Sequence, residues 1–345
     1  MGIFEKYLTL WVAVCIIAGL LLGALIPGLS ELLSQLEIFY VSIPIAICLF
    51  FMIYSIMVQI EFRKILDAAK TPKPVLISST INWVIKPFSK AALAVFFFYI
   101  IFAPLIPYEE ATSYVAGLIL LGLAPCTAMV LMWVHLSKGN QGLNLVMIAI
   151  DSIIMIAIYA PFAAFLLGLA YIPVPMEVIA FSIGIYIGFP LIVGYISRRT
   201  LLNKKGDQWF KTSFSPVMSK ISKIALLTTL VLLFTLQGEV ILNEPFIILL
   251  IAIPLTVQFF LMFIIGFYAS KLGKLSYEDA VPVSLVGTSN HFEVAIAVAI
   301  TLFGLGSGAV LATVVGVLIE VPIMLVLVKL MKRSKDKWSA PRENQ

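Results

Sequence analysis

Gly287-Thr288-Ser289-Asn290-His291-Phe292-Glu293 interrupts an apolar run from about residue 281 to 303, and Ala124-Pro125-Cys126-Thr127 interrupts another from about 112 to 134. In hydrocarbon an unpaired backbone amide costs several kcal/mol, so non-helical chain at membrane depth survives only where it is buried in protein or lines a cavity. Two such breaks in corresponding places of the two halves are the pattern of a solute site built between repeats.

The surrounding chain has the composition of an integral membrane protein. Apolar residues make up 61% of its 345 residues, charged ones 12%, and the mean hydropathy is +1.09, whereas soluble domains hold about 45–50% apolar residues. Long uncharged runs fall at about 7–27, 39–59, 88–107, 112–134, 144–168, 176–197, 221–238, 245–270, 281–303 and 308–331. Each approaches the roughly 20 residues that cross a bilayer as a helix. The segment from Arg198 to Lys220 is the longest connection and is read as a charged, turn-rich linker too small to be a catalytic domain. The first run ends at Pro27-Gly28 with no small-x-small cleavage site, so it is read as a retained helix.

Basic residues alternate between connections. Lys6, the group Arg63, Lys64, Lys70 and Lys73, then Lys138, the group Arg198 to Lys211, Lys271 with Lys274, and the tail Lys332 to Arg342 occupy every second one. The intervening connections, 28–38, 104–111, 169–176, 238–244 and 304–307, hold no Lys or Arg. By the positive-inside rule both termini are cytoplasmic and the number of spans is even. The basic loops are thus a topogenic signal at the lipid surface and imply no nucleic-acid partner. Lys86 and Lys90 are the test of this scheme. They are placed at the cytoplasmic surface, with residues 75–87 as an amphipathic entry bent at Pro87, so that both amines snorkel to headgroups; a functional charge within the bundle is the alternative.

Ten spans with both ends on one side divide into two halves of five, and an odd number per half inverts the second half, giving residues 1–170 and 171–345 as inverted repeats. Gly19-x-x-x-Gly23 before Pro27 and Gly184-x-x-x-Gly188 before Pro190 suggest a close-packing surface on the first span of each half. Asp151 in the fifth span is matched by Glu320 in the tenth.

Ionisable residues within spans are functional candidates by default. Asp151, Glu293 and Glu320 are the carboxylates of this kind. Asn290 and Glu293 share a helical face, as do Asn144 and Asp151 seven apart. Each carboxyl also has a structural alternative in bonding a neighbouring helix, and Glu320 stands where it could tie down backbone freed by Pro322. Cys126 differs from Cys15 and Cys48, small hydrophobes in apolar helices, because it follows Pro125 in a disturbed stretch that a ligand can reach. Thiols select soft, thiophilic centres, so Cys126 marks a site for such a centre. His291 beside Glu293 is either a proton-sensitive neighbour or a packed side chain; His135, at the end of the fourth span, reads as interfacial. Neither spacing makes a metal site, and the chain has no G-x-x-x-x-G-K-[ST], so an ATP-driven version would need a separate ATPase subunit.

Gly122-Leu-Ala-Pro-Cys-Thr-Ala-Met-Val-Leu-Met-Trp133, followed by Leu136-Ser-Lys-Gly-Asn140, resembles the fourth-helix signature of the arsenical-resistance arsenite efflux permeases, within the bile acid, arsenite and riboflavin transporter superfamily. Asn82-Trp-Val-Ile-Lys-Pro-Phe88, Asn203-Lys-Lys-Gly-Asp207, Ser289-Asn-His-Phe-Glu-Val-Ala295 and Ala312-Thr-Val-Val-Gly-Val-Leu-Ile-Glu-Val-Pro322 extend the likeness over nearly the whole chain. His291 departs from the bulky apolar residue frequent at that position. The resemblance implies an all-α integral membrane fold of ten helices with a panel (spans 1, 2, 6 and 7), a core (spans 3–5 and 8–10), and discontinuous spans 4 and 9 crossed within the core. It implies a cell-membrane antiporter, not an enzyme, that exports arsenite in exchange for protons, with antimonite a second candidate cargo.

On that reading Cys126 is the arsenic-facing group, Thr127, Ser289 and Asn290 are polar contacts, and Glu293 carries the proton. Asp151, Glu320, His291 and Asn144 stand as secondary candidates. Arsenous acid is mostly uncharged at neutral pH, so sulfur, amide and hydroxyl groups suffice for it. The rival reading is sodium-coupled uptake of an organic anion by the same fold, which needs carboxylate, amide and carbonyl oxygens gathered around spans 4 and 9. A membrane sensor is a further alternative, disfavoured by the lack of a sizeable soluble region.

Overall fold

The computed structural model describes residues 8–26, 28–38, 41–59, 72–127 and 129–338. Lys6, Pro27, Arg63, Lys64, Lys70 and Arg342, which entered the reading of the sequence, lie outside these residues. Helices dominate, because an apolar chain in lipid must satisfy its backbone within each segment. The order is α1 (Leu8–Leu25), α2 (Leu29–Ser34), a two-residue antiparallel hairpin of β1 (Glu37–Ile38) and β2 (Val41–Ser42), and α3 (Ile43–Met57). It continues with α4 (Pro72–Ile101), α5 (Tyr108–Gly122), α6 (Met129–Leu136) and α7 (Gln141–Leu169).

The next stretch, Met176–Leu236, is helical throughout except at Gly206, whose φ of 80° and ψ of 165° break it into α8 (176–205) and α9 (207–236). An unbroken helix of 61 residues would run about 90 Å, three times the hydrocarbon thickness. The chain instead doubles back, and the Arg198 guanidinium lies 4.9 Å from the Phe210 ring across the turn. The expected loop-like linker from Arg198 to Lys220 is therefore a helical hairpin turned at one glycine. After it come α10 (Gly238–Asn243), α11 (Pro245–Leu272), α12 (Tyr277–Thr288), α13 (Phe292–Phe303) and α14 (Gly308–Ser334).

Local chemistry sets the boundaries. Asn140, Ser276 and Ser307 cap α7, α12 and α14 by accepting from the amides of Leu143, Asp279 and Val310, which satisfies donors that a helix start leaves free. Gly304, with φ of 82°, ends α13 in a conformation that favours glycine. Three π-helical turns, Ile81–Ile85, Gly184–Gly188 and Phe210–Phe214, each end two residues before a proline: Pro87, Pro190 and Pro216. A proline gives no N–H to the preceding turn and its ring crowds the carbonyl there, so the turn widens.

Helices α1, α3, α8 and α9 pack with one another, while α4, α5, α7, α11, α12, α13 and α14 form a second group around the broken pairs. Outward-facing side chains such as Ile17, Leu21, Phe96, Ile100, Ile192 and Leu249 are apolar and exposed, as lipid contact demands. One end of the bundle gathers basic connections: Lys335 pairs with Glu278 at 3.4 Å, Lys271 lies over Phe267 and Trp338, and Asn140 N–H donates to Glu278. The other end joins lysine-free connections through Gln237 donating to the Leu305 carbonyl and Tyr99 to that of Ala170. Among the described residues, the basic connections at 138–140, 271–278 and 332–338 thus share one end of the bundle, as the charge alternation of the sequence leads one to expect.

The glycine pairs divide. A Cβ on Gly19 or Gly23 would stand 2.6 Å from Phe234 Cβ or the Thr235 carbonyl oxygen of α9, so these two do form a close-packing surface. Gly184 has no neighbour within 4 Å of such a position, and Gly188 meets only the Ile183 carbonyl at 3.9 Å, so the matching surface expected on α8 is absent. Its role falls six residues beyond Gly188 to Gly194, whose Cβ would meet Met57 at 2.9 Å. Gly117 is tighter still: a Cβ there would lie 2.2 Å from the Ala309 carbonyl oxygen of α14. Gly117→Ala is expected to lower stability by about 1–3 kcal/mol and the unfolding midpoint in detergent accordingly, while Gly184→Ala leaves that midpoint unchanged or raised.

Candidate functional site

The two breaks meet. Between α5 and α6 the chain runs non-helically through Ala124 to Thr127, and between α12 and α13 through Ser289 to His291, with Ser289 in an extended conformation. Pro125 and Asn290 form an antiparallel backbone bridge, and His291 N–H donates to the Ala124 carbonyl at 2.7 Å. Each unwound strand therefore supplies the partners that the other lost on leaving its helix. The starts of α6 and α13 bring partial positive charge to this crossing and the ends of α5 and α12 bring carbonyls.

Side chains from three further helices complete it. Glu320 of α14 accepts from the Ser289 hydroxyl and, at 3.3 Å, from Asn290 N–H. Its carboxylate thus holds the α12/α13 break, and the expected alternative, a tie to backbone freed by Pro322 in its own helix, is replaced by this one. Asp151 of α7 accepts from Asn82 Nδ2 and Trp83 Nε1 of α4, both at 2.9 Å. The π-helical turn at Ile81–Ile85 is what presents these two donors side by side. Tyr159 of α7 donates to the Leu120 carbonyl at 3.0 Å and ties the end of α5 to the same frame.

Lys86 is the largest departure from expectation. It is 0% exposed, and its Nζ donates to the Ser289 carbonyl at 2.6 Å, inside the α12/α13 break. Lys90, one turn on, is buried beside the Phe259 ring. Neither lysine snorkels. Residues 75–87 form no surface entry, because α4 is continuous from Pro72 to Ile101 and turns this face into the bundle. The signal was in the sequence: Asn82, Lys86 and Lys90 recur every four residues, which is one face of a helix. Gly122 makes room for the lysine stem, since a Cβ there would lie 2.6 Å from Lys90 Cγ.

The sequence-predicted residues Cys126, Thr127, Ser289, Asn290, His291 and Glu293 all gather at the crossing, and all are buried. The Cys126 thiol neighbours the Ser289 side chain and the Val130 backbone. Thr127 Oγ1 lies 3.4 Å from His291 Nε2, which is 3.6 Å from Glu293 Oε2. Asn290 Oδ1, His291 Nδ1 and Glu293 Oε1 have no hydrogen-bond partner among the described residues. Buried polar atoms are seldom left so. Asn144 is buried with both amide atoms likewise unpartnered, whereas Asp151, expected to share its face, is already saturated by α4. Cys15 and Cys48 lie in α1 and α3, so Cys126 brings the single thiol to the crossing, and among the described residues no cluster of three His, Cys, Asp or Glu side chains suits a metal ion.

Crossed, mutually paired helix breaks within an apolar bundle define a solute carrier built on discontinuous helices. The profile of the sodium bile acid symporter family matches residues 46–244. An uncharacterized transporter of Synechocystis sp. is 53% identical over 343 residues, covering 97% of this chain and 90% of its own length. The arsenical-resistance protein Acr3 of Alkaliphilus metalliredigens is 47% identical over 344 residues, covering 99% and 96%, and that of Corynebacterium glutamicum is 34% identical over 347 residues, covering 98% and 90%. The chain belongs to the sodium bile acid symporter family, and within it to the Acr3 arsenical-resistance branch.

The Asp151 node carries a structural consequence. Asp151→Ala would strand the donors of Asn82 and Trp83, at a cost of about 2 kcal/mol or more, lowering the thermal midpoint of the purified protein. Asp151→Asn keeps one accepting oxygen and is expected to lose less in the same measurement.

Proposed function

We propose that this protein exports arsenite from the cytoplasm across the cell membrane in exchange for protons, with arsenite bound at the crossing of the two helix breaks. The observation that carries this reading is the meeting of Cys126, Ser289 and Asn290 across the Pro125–Asn290 bridge. A single thiol beside hydroxyl and amide groups suits a small, neutral, thiophilic hydroxide; an organic anion would call for a larger and more apolar chamber. The naming of the Alkaliphilus and Corynebacterium relatives as arsenical-resistance proteins supports the same cargo.

In this reading Cys126 faces arsenic, Thr127, Ser289 and Asn290 hold its hydroxyls, and Glu293 takes up and releases the proton, with His291 between Thr127 and the carboxylate. Glu320 and Asp151 are positioning residues, which narrows the wider list drawn from the sequence. Asn144, with its free amide, stays a candidate contact. Antimonite, with the same valence chemistry, is the second cargo to assay.

The fold that serves this function is ten spans in two inverted repeats, residues 1–170 and 171–345, with both termini cytoplasmic. The panel comprises α1, α3, α8 and α9. The core comprises α4, the broken pair α5 and α6, α7, α11, the broken pair α12 and α13, and α14. Alternating access follows when the core moves against the panel.

Arsenite uptake into everted vesicles, with and without an imposed proton gradient, tests the cargo and the coupling together. Cys126→Ser is expected to reduce uptake by about tenfold or more, equivalent to about 1.4 kcal/mol; undiminished uptake would remove the thiol from the site. Glu293→Gln is expected to abolish the response to the gradient while the protein remains folded.

A further inference from the structure

A buried lysine held to a carbonyl in an unwound helix is an expensive arrangement. Moving an ammonium out of water costs several kcal/mol even after relaxation, and well-packed apolar residues would hold helices together at lower cost. An intramembrane lysine that persists has a task, and neither arsenite binding nor the Glu293 proton gives Lys86 one.

Its surroundings say what the task is. The Nζ donates to the Ser289 carbonyl, where α12 ends and its carbonyls point into the break. Unwound carbonyls and half-helix C-terminal ends are the groups with which carriers of this architecture hold a coupling sodium ion. The acidic groups within electrostatic reach of the Lys86 amine are Glu320 from α14, the Cys126 thiol from the α5/α6 break and Asp151 from α7, and Lys90 is the cation one turn along its own helix. Carboxylate, carbonyl and amide oxygens around the two breaks are the ligand set that a sodium-coupled carrier requires. Here the carbonyl at the end of α12 is taken by an amine.

We propose that the Lys86 side chain is a tethered cation that occupies the place of a coupling sodium ion at the α12/α13 break, so that this carrier works without sodium. The covalent cation fixes Ser289, and through it the Glu320 to Asn290 contacts, in every step of the cycle. It leaves the proton as the coupling ion. The inference concerns the site proposed above for arsenite and rests on its being a transport site, but sodium binding can be read with no arsenite present, so the two readings fail separately.

The test uses purified full-length protein, with sodium chloride titrated against N-methylglucamine chloride at constant ionic strength. Thermal unfolding and the monodisperse fraction on size exclusion are followed for wild type, Lys86→Gln and Lys86→Met. Wild type is expected to show no sodium-specific shift, and its proton-driven uptake is expected to be the same in either salt. Lys86→Gln and Lys86→Met are expected to be less stable in N-methylglucamine and to regain midpoint and monodispersity saturably as sodium is added. A sodium-specific shift in wild type overturns the proposal. So do variants that are equally stable in both salts, and variants that aggregate equally in both.

Discussion

The constraint from which the rest follows is the satisfaction of a few backbone amides and carbonyls where two helices come apart in a low-dielectric interior. Four helix ends meet at one place, and each would be ruinous alone, at several kcal/mol per unpaired group. They are tolerated because the strands between them pair with each other, through Pro125 with Asn290 and Ala124 with His291. The groups left over are taken by ionisable side chains, Lys86 on a carbonyl and Glu320 on an amide. Charge is thus used here as backbone repair as well as for chemistry, and both helices that supply it, α4 and α14, are held in place by the same contacts.

That dual use explains why the carboxylates separate into different roles. Asp151 and Glu320 have their oxygens engaged by donors from neighbouring helices, so neither is free to serve a solute without loosening the frame. Glu293 sits in the first turn of α13 with one oxygen near His291 and the other unpartnered. Position along a helix does not predict this difference, because all three look alike as single acids in apolar sequence. It depends on what faces them from other helices.

The same distinction marks where the sequence was readable. The breaks, the alternation of basic connections between two ends, and the gathering of Cys126, Ser289, Asn290 and Glu293 were legible because each rests on a local rule: helix breakers, loop charge, and the cost of polarity in lipid. At Lys86 and Lys90 headgroup snorkelling and inward burial share one local signature, and only the four-residue repeat with Asn82 favours the interior. The 198–220 segment differs from its sequence pattern for a related reason, since its charge and polarity look like loop while the backbone stays helical on both sides of a single residue, Gly206. Gly184 and Gly188 carry the packing-glycine spacing, yet both lie in the π-helical turn before Pro190 and neither is approached by another helix at its Cβ position.

An antiparallel pair of strands is related by a local two-fold axis, and the bridge between Pro125 and Asn290 puts such an axis through the middle of the crossing. A ligand seated there meets antiparallel backbone from each half of the chain, so that backbone, unlike the side chains that hold it, has no intrinsic up or down. The direction in which this carrier moves its cargo is then a property of the gradients imposed on it. Vectorial flow would be written into the membrane's energetics, and the residues that break the symmetry of the crossing are Cys126 on one strand and Glu293 beyond the other.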